Sequence, residues 1–141
     1  MLVEQLQSFM TAAPAITALL GTPASRSDSM NGLFFSQAPD APSLTMPYIV
    51  YSQADGLALA ESSQGSGTLR SATWLISCYG GTAKQAKKLA MAVKNALLAP
   101  FSVPTTTGIW LRREADEPVQ MAKGVLFGVH VSFEIIYNET Q

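Results

Sequence analysis

Toward its end the chain alternates without a break. Val125, Phe127, Val129, Val131, Phe133, Ile135 and Tyr137 fall on one parity, and Leu126, Gly128, His130, Ser132, Glu134, Ile136 and Asn138 on the other. Successive side chains of a strand point to opposite faces of the sheet, so a period of two predicts one long strand whose odd face enters the core. At about 3.3 Å per residue the pattern from Val125 to Tyr137 covers about 40 Å, more than most strands reach. Such a strand crosses the whole of a sheet, with Gly128 as the place for a bend. Everything else in the chain has to be compatible with that sheet.

The middle of the sequence supplies partners for it. Pro47-Tyr48-Ile49-Val50-Tyr51 is aromatic and β-branched and predicts a strand over Tyr48–Gln53. Ser71-Ala72-Thr73-Trp74-Leu75-Ile76-Ser77-Cys78-Tyr79 predicts another, and Gly80-Gly81 ends it. Thr82 followed three residues later by Gln85 is a capping-box signature that opens a helix. Over residues 83–98 that helix places Ala86, Leu89, Ala90, Val93, Ala96 and Leu97 on one stripe, leaves Lys84, Lys87, Lys88 and Lys94 for water, and stops before Pro100. Between the two strands, residues 54–70 hold Ser62, Ser63, Gly65, Ser66 and Gly67 and little that is large and apolar. The expectation there is a mobile loop, one that orders against a partner or forms a flexible hairpin tip.

At the start, Leu2, Leu6, Phe9 and Met10 mark one face of a helix. Pro14 interrupts it and suits the first turn of a second, short helix with Ile16, Leu19 and Leu20 inward and Gly21 as its stop. Residues 22–31 read as a polar loop, Gly32-Leu33-Phe34-Phe35 as a short strand, and Ala38-Pro39-Asp40-Ala41-Pro42 as a turn-rich connector. Gly108-Ile109-Trp110-Leu111-Arg112-Arg113 predicts a strand, with Glu114-Ala115-Asp116-Glu117-Pro118 as the turn into the final one.

With 141 residues, 48% of them hydrophobic, the chain is expected to form a single domain with its own core. Nine basic and ten acidic residues leave a net charge of −1, which argues against a general nucleic-acid surface. Charged residues are only 13%, about half the usual share, which fits a surface covered by further copies of the chain and equally an Ala- and Ser-rich monomer. One cysteine, Cys78, excludes an intrachain disulfide and multi-cysteine zinc sites; inside a strand pattern it reads as a buried thiol. No apolar run has the length of a membrane helix, and Met1-Leu2-Val3-Glu4-Gln5-Leu6 lacks the basic start of a signal peptide. The protein is expected to stay in the cell that makes it.

A search for chemistry returns nothing. His130 is the lone histidine, with Gly128 and Ser132 as its same-face neighbours along the strand and no serine or carboxylate at motif spacing. Gly65-Ser66-Gly67 lacks the rest of a phosphate loop, the Gly-x-Ser-x-Gly elbow is absent, and no local spacing of metal ligands occurs. No catalytic, cofactor-binding or metal residue is assigned, and no cofactor is expected. The candidate interface residues are Glu61, Arg70, Arg112 and Arg113.

The order of these pieces resembles the bacteriophage tail completion family, whose better-known members are tail terminator (neck) proteins. The features that carry the resemblance are Leu19-Leu20-Gly21 closing the N-terminal helical part, an Ala/Pro-rich segment leading to Met46-Pro47-Tyr48-Ile49-Val50-Tyr51, and the strand ending Ile76-Ser77-Cys78-Tyr79. The helix with Ala86, Ala90, Val93 and Leu97 and the final Val131-Ser132-Phe133-Glu134-Ile135-Ile136-Tyr137 complete it. The resemblance implies an α+β fold, a twisted, mainly antiparallel sheet packed by an N-terminal helix and one central helix in a single domain. It implies a structural virion protein rather than an enzyme, forming a homo-oligomeric ring, a hexamer, at the head-proximal end of a tail. Its implied partners are the tail tube protein and a head connector protein, with DNA passing the lumen without specific binding and no membrane involved. A head–tail connector or minor tail component of the same fold class is the alternative. A monomeric ligand-binding or enzymatic α+β domain using His130 or Cys78 is the reading from a different class.

Overall fold

The computed structural model describes residues 2–26, 30–36, 45–61, 68–99, 106–121 and 124–139. The expected connector at Ala38–Pro42, the Gly65-Ser66-Gly67 tip, part of the polar segment before Asn31 and the helix stop at Pro100 lie outside them.

In chain order the elements are α1 (Leu2–Ala12), α2 (Pro14–Leu20), β1 (Leu33–Phe35), β2 (Tyr48–Glu61), β3 (Thr68–Gly80), α3 (Ala83–Leu97), β4 (Thr106–Met121) and β5 (Gly124–Glu139). The strands form one five-stranded sheet in the order β1-β2-β3-β5-β4. β1 runs parallel to β2, and every other pairing is antiparallel. The fold is α+β with a mixed, mainly antiparallel sheet, as the sequence implied.

The alternation at the C-terminus becomes β5, and its odd residues Val129, Val131, Phe133 and Ile135 are buried. Opposite them on β3 stand Cys78, Ile76, Trp74 and Ala72, and on β2 Ile49 and Tyr51, all on the same face of the sheet. Leu6 and Met10 of α1, Ile16 and Leu20 of α2, and Leu89, Val93 and Leu97 of α3 close over that face to form the core. Each large apolar side chain buried there contributes about 1.5–3 kcal/mol. Ala86 and Ala90, fully buried on α3, let the helix lie close to the strands.

The reversal from β3 into α3 is tight. Gln85 donates its N–H to the Thr82 hydroxyl at 3.1 Å, and its side-chain oxygen accepts from the Gly81 N–H at 2.9 Å. Gly80 leaves room for this turn, since a Cβ there would lie 2.8 Å from the Ala86 amide nitrogen. At the other end of the chain Pro14 occupies the first turn of α2, and Gly21, at φ 83°, ends it.

The structure corrects the sequence expectations in several places. Residues 54–61 and 68–70 are not loop: they continue β2 and β3 as a long hairpin. Small and polar residues form strand here because β3 is paired on both sides, with β5 reaching Glu139 opposite Thr68. Glu114-Ala115-Asp116-Glu117-Pro118 is not a turn either; β4 runs through it to Met121, which pairs with Gly124. An edge strand tolerates charges and a proline because its outer side makes no ladder bonds. Leu19 faces outward, 37% exposed. Lys94 does not simply face water: its ammonium meets the Glu114 carboxylate at 2.8 Å, tying α3 to β4.

Arg26, in a segment that reads as plain polar loop, is buried. Its Nη1 donates to the carbonyls of Leu20 at 2.9 Å and Pro47 at 2.7 Å, and its Nη2 to that of Thr45 at 2.6 Å. One guanidinium thereby fastens the C-terminus of α2 to the chain entering β2, and Gly32 at φ 79° makes space for it. Replacing Arg26 with Met leaves buried carbonyls without a donor, so urea unfolding should show a loss of about 3 kcal/mol. Arg26→Lys should recover only part of it, because an ammonium cannot fork to the same carbonyls.

Candidate functional site

All strand residues of the core lie on the helix-covered face, which leaves the opposite face and the sheet edges as candidate working surfaces. On the opposite face an aromatic row crosses four strands. Phe34 of β1 meets Tyr48 of β2 edge-on with ring centroids 6.0 Å apart, Tyr48 stacks on Tyr79 of β3 at 5.1 Å, and Tyr79 meets His130 of β5 edge-on at 5.9 Å. The register makes the row: Phe34 is next to Val50, Tyr48 opposite Tyr79, and Tyr79 opposite Gly128. Gly128 makes room for it: a Cβ there would stand 3.1 Å from the Tyr79 ring, so the ring would have to shift by a few tenths of an ångström. Space for Tyr79 is the role the structure gives this glycine.

His130 has a serine partner after all. Ser77 of β3 lies directly opposite it, and the Ser77 hydroxyl and His130 Nδ1 share a hydrogen bond of 2.8 Å. Motif spacing along one strand cannot reveal a partner that comes from the next. The pair does not form an accessible nucleophile, because Ser77 is only 6% exposed. It fastens β3 to β5 beneath the aromatic row. A second cross-strand link joins Ser71 and Glu134 at 3.2 Å.

Burial sets the acid–base behaviour of this region. It raises the Tyr48 pKa above 10.0, with the neighbouring Tyr79 adding to the effect, and raises that of Tyr51 on the covered face. The Cys78 thiol is pushed up from 9.0 to about 12, by burial first and by Glu114 second, so it is inert at neutral pH, as expected of a buried cysteine. Among the described residues no group of three His, Cys, Asp or Glu side chains could hold a metal ion. No helix there is long and apolar enough to cross a membrane.

The sheet edges differ. Among the described residues β4 forms one edge along its whole length. At the other edge β1 pairs only with residues 49–51 of β2, so the far part of β2 is an edge as well among the described residues. Of the candidate interface residues, Glu61 ends β2 opposite Thr68, and Arg70 sits inside β3 between Ala58 and Tyr137. Arg112 is the extra residue of a β4 bulge, and Arg113 pairs with Ser132. The four are not brought together within one copy: β3 and β5 separate Glu61 from the two β4 arginines. Exposed apolar side chains flank both edges. Met91 on α3 and Leu98 just past its end lie one turn to either side of Lys94, which faces Glu114, with Leu111 on β4, and Phe35 stands 48% exposed on β1. Sequence reasoning missed this surface because edge status depends on strand order.

Comparison with known proteins adds three findings. The family model described as "Tail completion protein gp17" matches residues 4–138. No curated protein matches the chain. Among solved structures, a chain of the virion of a native gene transfer agent particle superposes with a TM-score of 0.64 at 21% identity, covering 95% of this chain and 92% of that one. At that identity the likeness is one of fold.

The raised tyrosine and cysteine pKa values carry a sign. Each group binds its proton more tightly folded than unfolded, so the stability it contributes is complete below the unfolded pKa and declines as pH rises toward the folded one. Urea midpoints should therefore be flat up to about pH 8.5 and fall beyond it, first through Cys78 and then through Tyr48 and Tyr51. Tyr48→Phe should flatten the upper part of that decline.

Proposed function

The chain belongs to the tail completion protein gp17 family of phage virion structural proteins, and on that premise we propose that its copies close into a ring, six in number, at the head-proximal end of a tail. The ring ends polymerisation of the tail tube and offers a seat to the head connector protein. As a member of a structural family the protein is a component of the virion tail and neck and catalyses no reaction. Its tail-side partner in this reading is the tail tube protein.

The observation that supports the ring best is the pair of unlike edges that the described residues leave free on one sheet. Closed cyclic assemblies use a heterologous contact, in which one patch of each copy meets a different patch of the next. β4 with its neighbouring α3 stripe, and the far part of β2 beyond the short β1, are two such patches on opposite sides of the subunit. The low charged fraction of 13% suits a subunit whose sides are covered by copies of itself. A net charge of −1 suits a lumen through which DNA slides without being held.

Light scattering over a concentration series tests the reading. The expected mass is six times that of the 15.0 kDa chain, either alone or once purified tail tubes are added. A monomer under both conditions would overturn it, and binding to the connector but never to the tube would place the protein on the head side of the joint.

A further inference from the structure

We infer that the contact between neighbouring copies is a strand pairing, in which residues 106–113 of β4 in one copy lie antiparallel to residues 52–58 of β2 in the next. The inference rests on the ring reading above and specifies its contact.

Strand direction is the first argument. β2, β3, β5 and β4 alternate in direction, so the two long edge strands of one copy run opposite ways. Copies placed side by side in the same orientation therefore meet β4 to β2 antiparallel, and the alternation continues from one copy to the next. An odd number of long strands would have produced a parallel junction.

Height is the second. Through Arg70 and Tyr137, Ala58 stands level with Thr106, and through Thr73 and Glu134, Asp55 stands level with Trp110. The uncovered part of β2 and the leading half of β4 thus occupy the same band of the sheet and meet without a large shift along the strands. The bulges agree as well. β2 is bulged between Gln53 and Asp55 and between Ala58 and Ala60, β4 between Leu111 and Arg113 and between Thr106 and Gly108. Each pair falls at nearly the same height, where bulges bend both strands and give the joined sheet curvature.

Charge is the third. Residues 52–61 of β2 contain Asp55 and Glu61 and no basic residue, whereas residues 106–113 of β4 contain Arg112 and Arg113 and no acidic one. The trailing half of β4 is the reverse: it carries Glu114, Asp116, Glu117 and Pro118, the charges and proline that keep an edge strand from accepting a partner. At that height the other side of the sheet is closed by β1. Among the described residues, complementary charge, unprotected edge and free neighbour therefore coincide in one half of the sheet only. Main-chain hydrogen bonds would supply the affinity and the charges the register.

Charge reversal in two variants tests this. Arg112→Glu with Arg113→Glu makes both edges acidic, and Asp55→Arg with Glu61→Arg makes both basic. Each variant alone should assemble more weakly than the parent by on the order of tenfold or more, with an unchanged circular dichroism spectrum. Mixed in equal amounts they should assemble again, because every acidic β4 now meets a basic β2 and every basic β4 an acidic β2. Covalent capture gives a second readout: Ala58→Cys and Thr106→Cys chains, carrying different tags and made together, should form a disulfide-linked heterodimer, while Cys78 stays buried. Variants that each assemble as well as the parent, a mixture that stays dissociated, or no heterodimer in the assembled particle would overturn the strand pairing. The ring reading would survive those results, and it falls only if the parent chain itself never assembles.

Discussion

The antiparallel ladder between β3 and β5 is the constraint on which the rest of this subunit hangs. All 13 residues of β3 are paired with β5, without a bulge, from Thr68 opposite Glu139 to Gly80 opposite Phe127. Because the register holds over that distance, every second residue of both strands faces the helices together, and the intervening ones share the other face. Trp74 with Phe133 and Ile76 with Val131 become the centre of the core. The same register delivers Ser77 to His130 and Tyr79 to Gly128 on the reverse side. A slip of one residue would exchange core and surface along both strands at once.

Around that ladder the irregular features are placed with some economy. Bulges occur in β2 and β4, the strands away from the centre, and not in the β3–β5 pair. Glycine appears where the chain comes close, at Gly80, where backbone leaves no room for a Cβ, and at Gly128 beside the Tyr79 ring. The helical layer is held to the sheet by apolar burial, by Arg26 at the entrance to β2, and by the Lys94–Glu114 pair at the β4 side. That ion pair is partly exposed and adds little to stability. Its effect is one of position, since it fixes the height of α3 relative to the free edge.

Local pattern revealed most of the helices and the central strands, because there burial and periodicity agree. The β5 alternation, the α3 stripe, the Thr82–Gln85 cap and the Pro14 break were all legible, and the order of elements pointed to the family that the comparison shows. What failed was whatever depends on a distant neighbour. Residues such as Asp55, Gly56 and Ala58 have weak strand preference and become strand because β3 lies beside them. Glu114 to Pro118 look like a turn but form the outermost strand, where such residues serve as edge protection. Arg26 and the Ser77–His130 bond join parts of the chain far apart in sequence, and a one-dimensional reading has no signal for either. The four charged interface candidates could not be placed from the sequence, since the strand order that puts Glu61 at one edge, Arg112 and Arg113 at the other and Arg70 inside the sheet was not known.

The geometry of the central ladder also has a mechanical side. Hydrogen bonds between antiparallel strands lie across the strand axis. A force applied along β3 and β5 in opposite senses therefore loads all the rungs together, and they must fail together. Force that opens the β4–β5 hairpin at its Met121–Gly124 end meets the rungs one at a time. The subunit is stiff along its strands and opens most readily where the β4–β5 ladder ends at Met121 and Gly124, so a pull applied there would peel β4 first while β3 and β5, with the core above them, remained joined.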